Sequence, residues 1–189
     1  MADRDMIHER GRSLEDDYFR KKDKELVEKL QRAAGAERAK TDMGKAAGIT
    51  DPAALQELLD LGFTPETIGL LPIVPVVQMA WAEGGITPAE RALIVRFARS
   101  RGIDEGSEAD RQLRAWMTDR PAEAVFAHAG RLIRAMLDSG SSGLNADDLV
   151  DFCERIASAS GGVFGIGKIS AEERTLLAGL VADLKGRQS

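Results

Sequence analysis

Two stretches of the chain, ITPAERALIVRFA at residues 86–98 and ISAEERTLLAGLVA at residues 169–182, carry the strongest structural signal. Their first nine residues align without a gap, and the apolar positions that follow stay in register. Each stretch places Thr or Ser three residues before Glu, which is the pattern of a capping box at the start of an α-helix. The repeat therefore predicts two equivalent helices, each with an apolar stripe along one side.

Each helix of the repeat follows a glycine pair, at residues 84–85 and at residues 161–162. The repeated unit is thus a helix, a glycine turn, a short connection anchored by Ile, and a capped helix. One such helix pair cannot bury its apolar face alone, so we expect the two pairs to pack face to face. We expect five stripe residues to be buried: Leu93, Phe97, Leu176, Leu177 and Leu180.

Similar helix boundaries recur from residue 51 onward. Asp51-Pro52 and Thr64-Pro65 are typical helix starts, and Ser107 opens a further helix. Aromatic residues make up only 5% of the chain, which favours helices packed through small and straight-chain side chains over β-sheet. The sequence therefore predicts an all-α fold, with a compact bundle of about seven helices and an internal helix-pair repeat over residues 51–186.

The first forty residues differ from the rest, because they hold 11 basic and 10 acidic residues. Residues 13–34 contain no Gly or Pro, and their apolar side chains fall on one side of a helical wheel. We expect residues 1–34 to form a charged, exposed N-terminal helix. Residues 35–50 are rich in Gly, Ala and charge, which predicts a linker between this helix and the helical domain.

Charge and composition narrow the class of protein. The 189 residues carry a formal net charge of −5, which argues against nucleic acid as a partner, since duplex binding needs basic surface. Cys153 is the single cysteine, so no internal disulfide forms and a reducing compartment is expected. No apolar run reaches the length of a membrane span, and the N-terminus is not a secretory signal. We expect a cytoplasmic protein.

The stretch AEGGITPAE at residues 82–90 resembles the signature of TerB-like domains, which are named for tellurite-resistance proteins. That signature runs Ala-Asp-Gly, one residue, an aliphatic residue, Ser or Thr, two residues and Glu. The second repeat copy is similar to the C-terminal part of the same fold. The resemblance covers roughly residues 51–185 and implies a compact all-helical interaction module with a role in a stress response.

The TerB resemblance also implies a divalent-cation site built from the motif carboxylates. These map to Glu83, Glu90 and Glu173, and Ca²⁺ is the cation that such a site would hold. Two departures from the family pattern weigh against it: Glu83 stands where the family has Asp, and Ser160 stands at the matching place in the second copy. The alternative is that Glu90 and Glu173 only complete their capping boxes.

No set of residues in the sequence has the spacing of catalytic machinery. His8 and His128 have no Cys or Asp partner at the spacing of a metal site or a catalytic triad. Residues 162–170 imitate a phosphate-binding loop, but Ile169 stands after Lys168 where Ser or Thr would ligate Mg²⁺. We therefore expect that the chain is not an enzyme and needs no cofactor.

The segment EDDYFRKKDKEL at residues 15–26 is similar to the inhibitory helix of the mitochondrial ATP synthase inhibitor protein. Exposed aromatic and aliphatic side chains on a charged helix are typical anchors for docking in a groove. We expect this helix to bind a protein partner. Its candidate contact residues are Tyr18, Phe19, Lys22, Leu26 and Leu30.

Two hypotheses follow from these patterns. In the first, the chain is a non-catalytic TerB-like interaction module, metal-responsive and stress-related, with an N-terminal helix that docks on a partner. In the second, it is a dedicated protein regulator, for example an ATPase inhibitor, which acts through the N-terminal helix and uses the helical domain as a handle.

Overall fold

The structure is a computed structural model that describes the backbone of residues 2–140, 145–160 and 170–185 and the side chains of residues 20–140, 145–159 and 170–184. Within these ranges the protein is all-helical and has no strand, as predicted. The elements are α1 (Ala2–Ala47), α2 (Pro52–Asp60), a 3₁₀ helix (Ile68–Ile73), α3 (Val74–Ala80), α4 (Pro88–Ser100), α5 (Glu108–Trp116), α6 (Glu123–Asp138), α7 (Ala146–Ser160) and α8 (Ala171–Lys185).

The predicted linker at residues 35–50 is wrong, because α1 continues without a break to Ala47. Met43 and Ala47 are buried in the apolar core. Packing of this kind outweighs the low helix propensity of glycine. Gly44 is itself a packing residue, since a Cβ there would lie 3.0 Å from the carbonyl oxygen of Ile49. Gly48 adopts a φ of +69° and ends the helix in the left-handed conformation.

The chain divides into two units, residues 1–41 and residues 42–189. The first unit consists of the greater part of α1. From residue 20 to residue 38 every side chain of this helix is exposed. A single helix has no core of its own, so this stretch is held by backbone hydrogen bonds and by local pairs along its surface.

The second unit encloses the apolar core. Here α3 packs against α7, α7 against α4 and α8, and α6 against α3 and α8. The two helix pairs of the repeat, α3 with α4 and α7 with α8, therefore pack against each other, with α7 in contact with both helices of the first pair. Seven α-helices follow α1 within the described ranges, in agreement with the helix count expected for this region.

The burial of the repeat stripes is confirmed for three of the five predicted residues. Phe97, Leu177 and Leu180 are buried, whereas Leu93 and Leu176 are only partly buried at the edge of the core. Ile94 takes the fully buried position on α4 in place of Leu93. The difference arises because the repeat positions both leucines on the correct side of their helices, while the neighbouring helices decide how much of that side is covered.

Candidate functional site

Two of the predicted docking residues, Leu26 and Leu30, lie on an exposed part of α1. Leu26 and Leu30 are 55% and 60% exposed, and Val27 beside them is 50% exposed. No other large hydrophobic side chain in the described part of the chain is as open to solvent. We call Leu26, Val27 and Leu30 the apolar stripe. The side chains of Tyr18 and Phe19, which were predicted to extend it, lie outside the described residues.

Val27 is the member of the stripe that the sequence prediction missed. It stands three residues before Leu30 and one residue after Leu26, so the three side chains occupy neighbouring positions on the helix surface. The spacing of Val27 from Leu26 and Leu30 matches the helical period, so the sequence does contain the pattern that would have identified it.

Ion pairs run along the helix beside the stripe. Lys22, a predicted contact residue, lies with its Nζ 4.0 Å from Oε2 of Glu25. Arg32 makes a similar pair with Glu28 further along the helix, at 4.0 Å between nitrogen and oxygen. Exposed pairs of this type contribute little to stability. They leave the apolar side chains uncovered.

The predicted metal ligands occupy other roles in the structure. Glu90 and Glu173 are each only 1% exposed. The Glu90 carboxylate accepts a hydrogen bond of 2.7 Å from the backbone N–H of Thr87, and the N–H of Glu90 donates to the Thr87 hydroxyl at 3.3 Å. Glu173 forms the same reciprocal pair with Ser170, at 2.7 and 3.1 Å. The two capping boxes are thus real and equivalent.

These capping boxes explain how two carboxylates lie inside an apolar core. Each receives a charge-assisted hydrogen bond and sits at a helix N-terminus, where the helix dipole favours negative charge. Glu83, the third predicted ligand, is exposed. Within the described residues no three acidic, His or Cys side chains form a group that could hold a metal ion, so the structure does not bring the predicted ligands together.

The described residues hold two other buried ionisable groups, Asp110 and Cys153. Asp110 accepts hydrogen bonds from the backbone N–H of Gly106 at 3.0 Å, from Arg114 at 2.9 Å and from Arg99 at 2.7 Å. These donors, with the Gly106 N–H the largest cause, hold the pKa of this carboxyl well below its ordinary value. Burial raises the pKa of the Cys153 thiol to about 12, which keeps it protonated and unreactive.

A second acidic group joins α2 to α6. Glu57 accepts hydrogen bonds from Arg131 and pairs with Nδ1 of His128. The guanidinium of Arg131 is the main cause that lowers the pKa of Glu57. His128 thus has an acidic partner that is distant in sequence, and it sits on the outer surface of α6 rather than in a cavity.

The tryptophans act as packing anchors. Trp81 donates its indole N–H to the carbonyl oxygen of Trp116 at 2.9 Å, and Trp116 meets Phe63 edge to face. Trp81 also borders an open groove of about 450 Å³, together with Arg120, Glu172 and Leu176. The imitation phosphate loop at residues 162–170 lies, except for Ser170, outside the described residues.

Comparison of the chain with protein-family models, with curated proteins and with solved structures finds no match. None of the helices that the structure describes combines the length and the apolar character needed to cross a membrane.

Proposed function

We propose that this chain is a non-catalytic, cytoplasmic interaction module that docks on a protein partner through its first helix. The observation that supports this most is the apolar stripe of Leu26, Val27 and Leu30. Large apolar side chains at i, i+1 and i+4 that are at least half exposed form the kind of anchor set that a helix lays into a groove.

The energetics favour docking over a solvated helix. Full burial of one Leu or Val side chain contributes about 1.5–3 kcal/mol, so a partner that covers the stripe gains several kcal/mol from it. The helix is already formed over this stretch, so less ordering entropy is lost on binding than for an unfolded segment. Every side chain of residues 20–38 is exposed, which makes this stretch the surface with most to gain.

For residues 51–186 we propose a TerB-like domain with a stress-related role, of the type found in tellurite resistance. The all-helical fold and the two equivalent capping boxes, Thr87 with Glu90 and Ser170 with Glu173, support this assignment. The metal-responsive part of the hypothesis has no support from the placement of Glu83, Glu90 and Glu173. Nucleic acid is not proposed as a partner, because the chain is acidic.

Site-specific photo-cross-linking in the full chain tests the docking role. A photoreactive amino acid at position 30 lies in the stripe, and the same group at position 28 lies on the opposite side of the helix. We expect position 30 to form an adduct with a defined protein in the native cell and position 28 to form none. No adduct at position 30, or equal adducts at both positions, would contradict the proposal.

The same experiment separates the runner-up function, a dedicated regulator such as an ATPase inhibitor. The observation that favours it is the unbroken helix across residues 15–26, where the sequence is similar to an inhibitory helix. A cross-linked partner that is an ATPase, and whose hydrolysis rate falls when the full chain is added, would support this second function. A partner without such activity would leave the interaction module as the better account.

A further inference from the structure

The charges around the apolar stripe are arranged by sign. An α-helix turns about 100° per residue, which places Lys22 and Lys29 along one edge of the stripe. The same geometry places Arg20 and Lys24 along the other edge. Over residues 20–32 the helix holds six basic and three acidic residues.

The acidic residues of this segment avoid both edges. Glu25 and Glu28 lie on the side of the helix that faces away from the stripe, and they pair with Lys22 and Arg32, respectively. Asp23 stands one turn before Val27 and marks the N-terminal end of the stripe. The result is a short apolar surface bordered on both long edges by cations, within a chain whose net charge is −5.

We infer that the partner surface is an apolar groove on a protein, lined along both rims by Asp and Glu side chains. This inference rests on the proposed docking function and adds the chemistry of the partner. Opposite charges at the rim of an interface speed association and set the register of the docked helix, while the apolar centre supplies affinity. A groove of this type pairs each edge of the helix with an acidic rim.

An anionic lipid surface shares part of this chemistry but fits less well. Helices that lie in a membrane interface carry a broad apolar face with Trp, Phe or Leu along their length. Here the stripe spans little more than one turn, and the described residues around it are polar or alanine. A narrow stripe with three anchors matches a protein groove.

The experiment uses the full chain with the photoreactive group at position 30 and two charge-reversed variants. Lys22→Glu with Lys29→Glu reverses one edge of the stripe. Lys21→Glu with Arg32→Glu makes the same change in net charge on the opposite side of the helix and serves as the matched control. Circular dichroism of each variant checks that the helix is retained.

We expect the edge variant to lower the yield of the position-30 adduct about tenfold, with the control variant close to the parent chain. The parent yield should also fall as salt rises from about 50 to about 500 mM, because screening weakens rim charges. Mass spectrometry should place the adduct on a partner segment with Asp or Glu on both sides of an apolar surface.

Other outcomes overturn the inference in distinct ways. If the yield of the position-30 adduct is unchanged in both variants and at all salt concentrations, the inference of an acidic rim is contradicted. The proposed docking function would not be affected by that result. An adduct with a second copy of this chain would mean self-association. Co-sedimentation with equimolar phosphatidylserine–phosphatidylcholine vesicles, with no protein adduct, would identify a lipid surface. The absence of both a protein adduct and vesicle binding would contradict the proposed docking function itself.

Discussion

Helix α3 and the exposed stretch of α1 have the same backbone hydrogen bonding but opposite surroundings. Six of the seven residues of α3 are buried, whereas every side chain of α1 from residue 20 to residue 38 is exposed. Tertiary packing therefore stabilises α3, and only local interactions stabilise the exposed stretch of α1. The contrast shows that burial, and not helix formation itself, distinguishes the two helices.

The largest expected effect is in the core. Leu180→Ala on α8 removes a buried side chain and should lower the free energy of unfolding by about 2–5 kcal/mol, through lost burial and the cavity left behind. Chemical denaturation with urea measures it. A loss below about 0.5 kcal/mol would show that α8 presents a different side to the core.

The next-largest loss of stability is expected for the buried carboxylate that joins α4 and α5. Asp110→Ala leaves the Gly106 N–H and the side chains of Arg99 and Arg114 without their acceptor, which should cost about 2–3 kcal/mol. Asp104→Ala, in the exposed loop that precedes α5, is the control and should stay within about 0.5 kcal/mol of the parent. Equal effects of the two changes, measured by urea denaturation, would mean that the Asp110 network is not a source of stability.

Two glycines provide a matched test of how closely α6 and α8 approach. A Cβ at Gly130 would lie 2.8 Å from the Cβ of Asp183, which cannot swing aside as a side-chain tip can. Gly130→Ala should therefore cost about 1–3 kcal/mol despite the better helix propensity of Ala. A Cβ at Gly179 would meet no atom within 4 Å, and Gly179→Ala should stabilise by about 0.5–1 kcal/mol. Thermal unfolding of both variants gives the sign of each effect, and a stabilising Gly130→Ala would mean that the two helices lie further apart.

The ionic contact between α2 and α6 should make a small, pH-dependent contribution to the free energy of unfolding. Because the folded pKa of Glu57 is lowered, its stabilising effect is complete above the ordinary glutamate pKa and is lost as the pH falls through the folded value. Glu57→Gln should therefore reduce stability near neutral pH by less than about 1 kcal/mol. The difference between parent and variant should vanish in strong acid. Urea titrations near neutral pH and in strong acid measure this difference in stability. A difference that is the same at the two pH values would contradict the proposed role of Glu57.

The smallest change in the free energy of unfolding is expected in the exposed stretch of α1. Leu30→Ala changes the same side chain as Leu180→Ala but at a position that is 60% exposed. It should alter the free energy of unfolding of the isolated chain by no more than about 0.5 kcal/mol in urea denaturation. A loss comparable with that of Leu180→Ala would mean that the stripe is covered in the free protein.

Helix starts were the features that the sequence predicted best. The side chains of Asp51, Thr87 and Ser107 each accept a hydrogen bond from a backbone N–H two or three residues further on. Thr64-Pro65, by contrast, opens a turn that leads into the 3₁₀ helix and does not start an α-helix. A cap is a contact within one turn, so its pattern is visible in sequence, whereas the length of the element that follows depends on what it packs against.

The candidate site was partly predictable. The exposure of Leu26 and Leu30 was expected from the charges that surround them, and the structure confirms it. The capping boxes of Glu90 and Glu173 were predicted and are confirmed, but a cation site at the same residues stayed open, because it depends on which other carboxylates lie close by. Their distance to Glu83 depends on the packing of α4 and α8, and that packing is not encoded in any local motif.

The amino-acid sequence alone was sufficient to show the all-helical class, the internal repeat and the charged first helix, because helical period and capping act over fewer than about five residues. Only the tertiary structure showed that residues 35–47 continue α1, since Met43 and Ala47 are held by side chains far away in the chain. It alone separated Ile94, which is fully buried, from Leu93, which is not. Burial depends on the neighbours that a side chain meets, and those neighbours come together only when the helices pack.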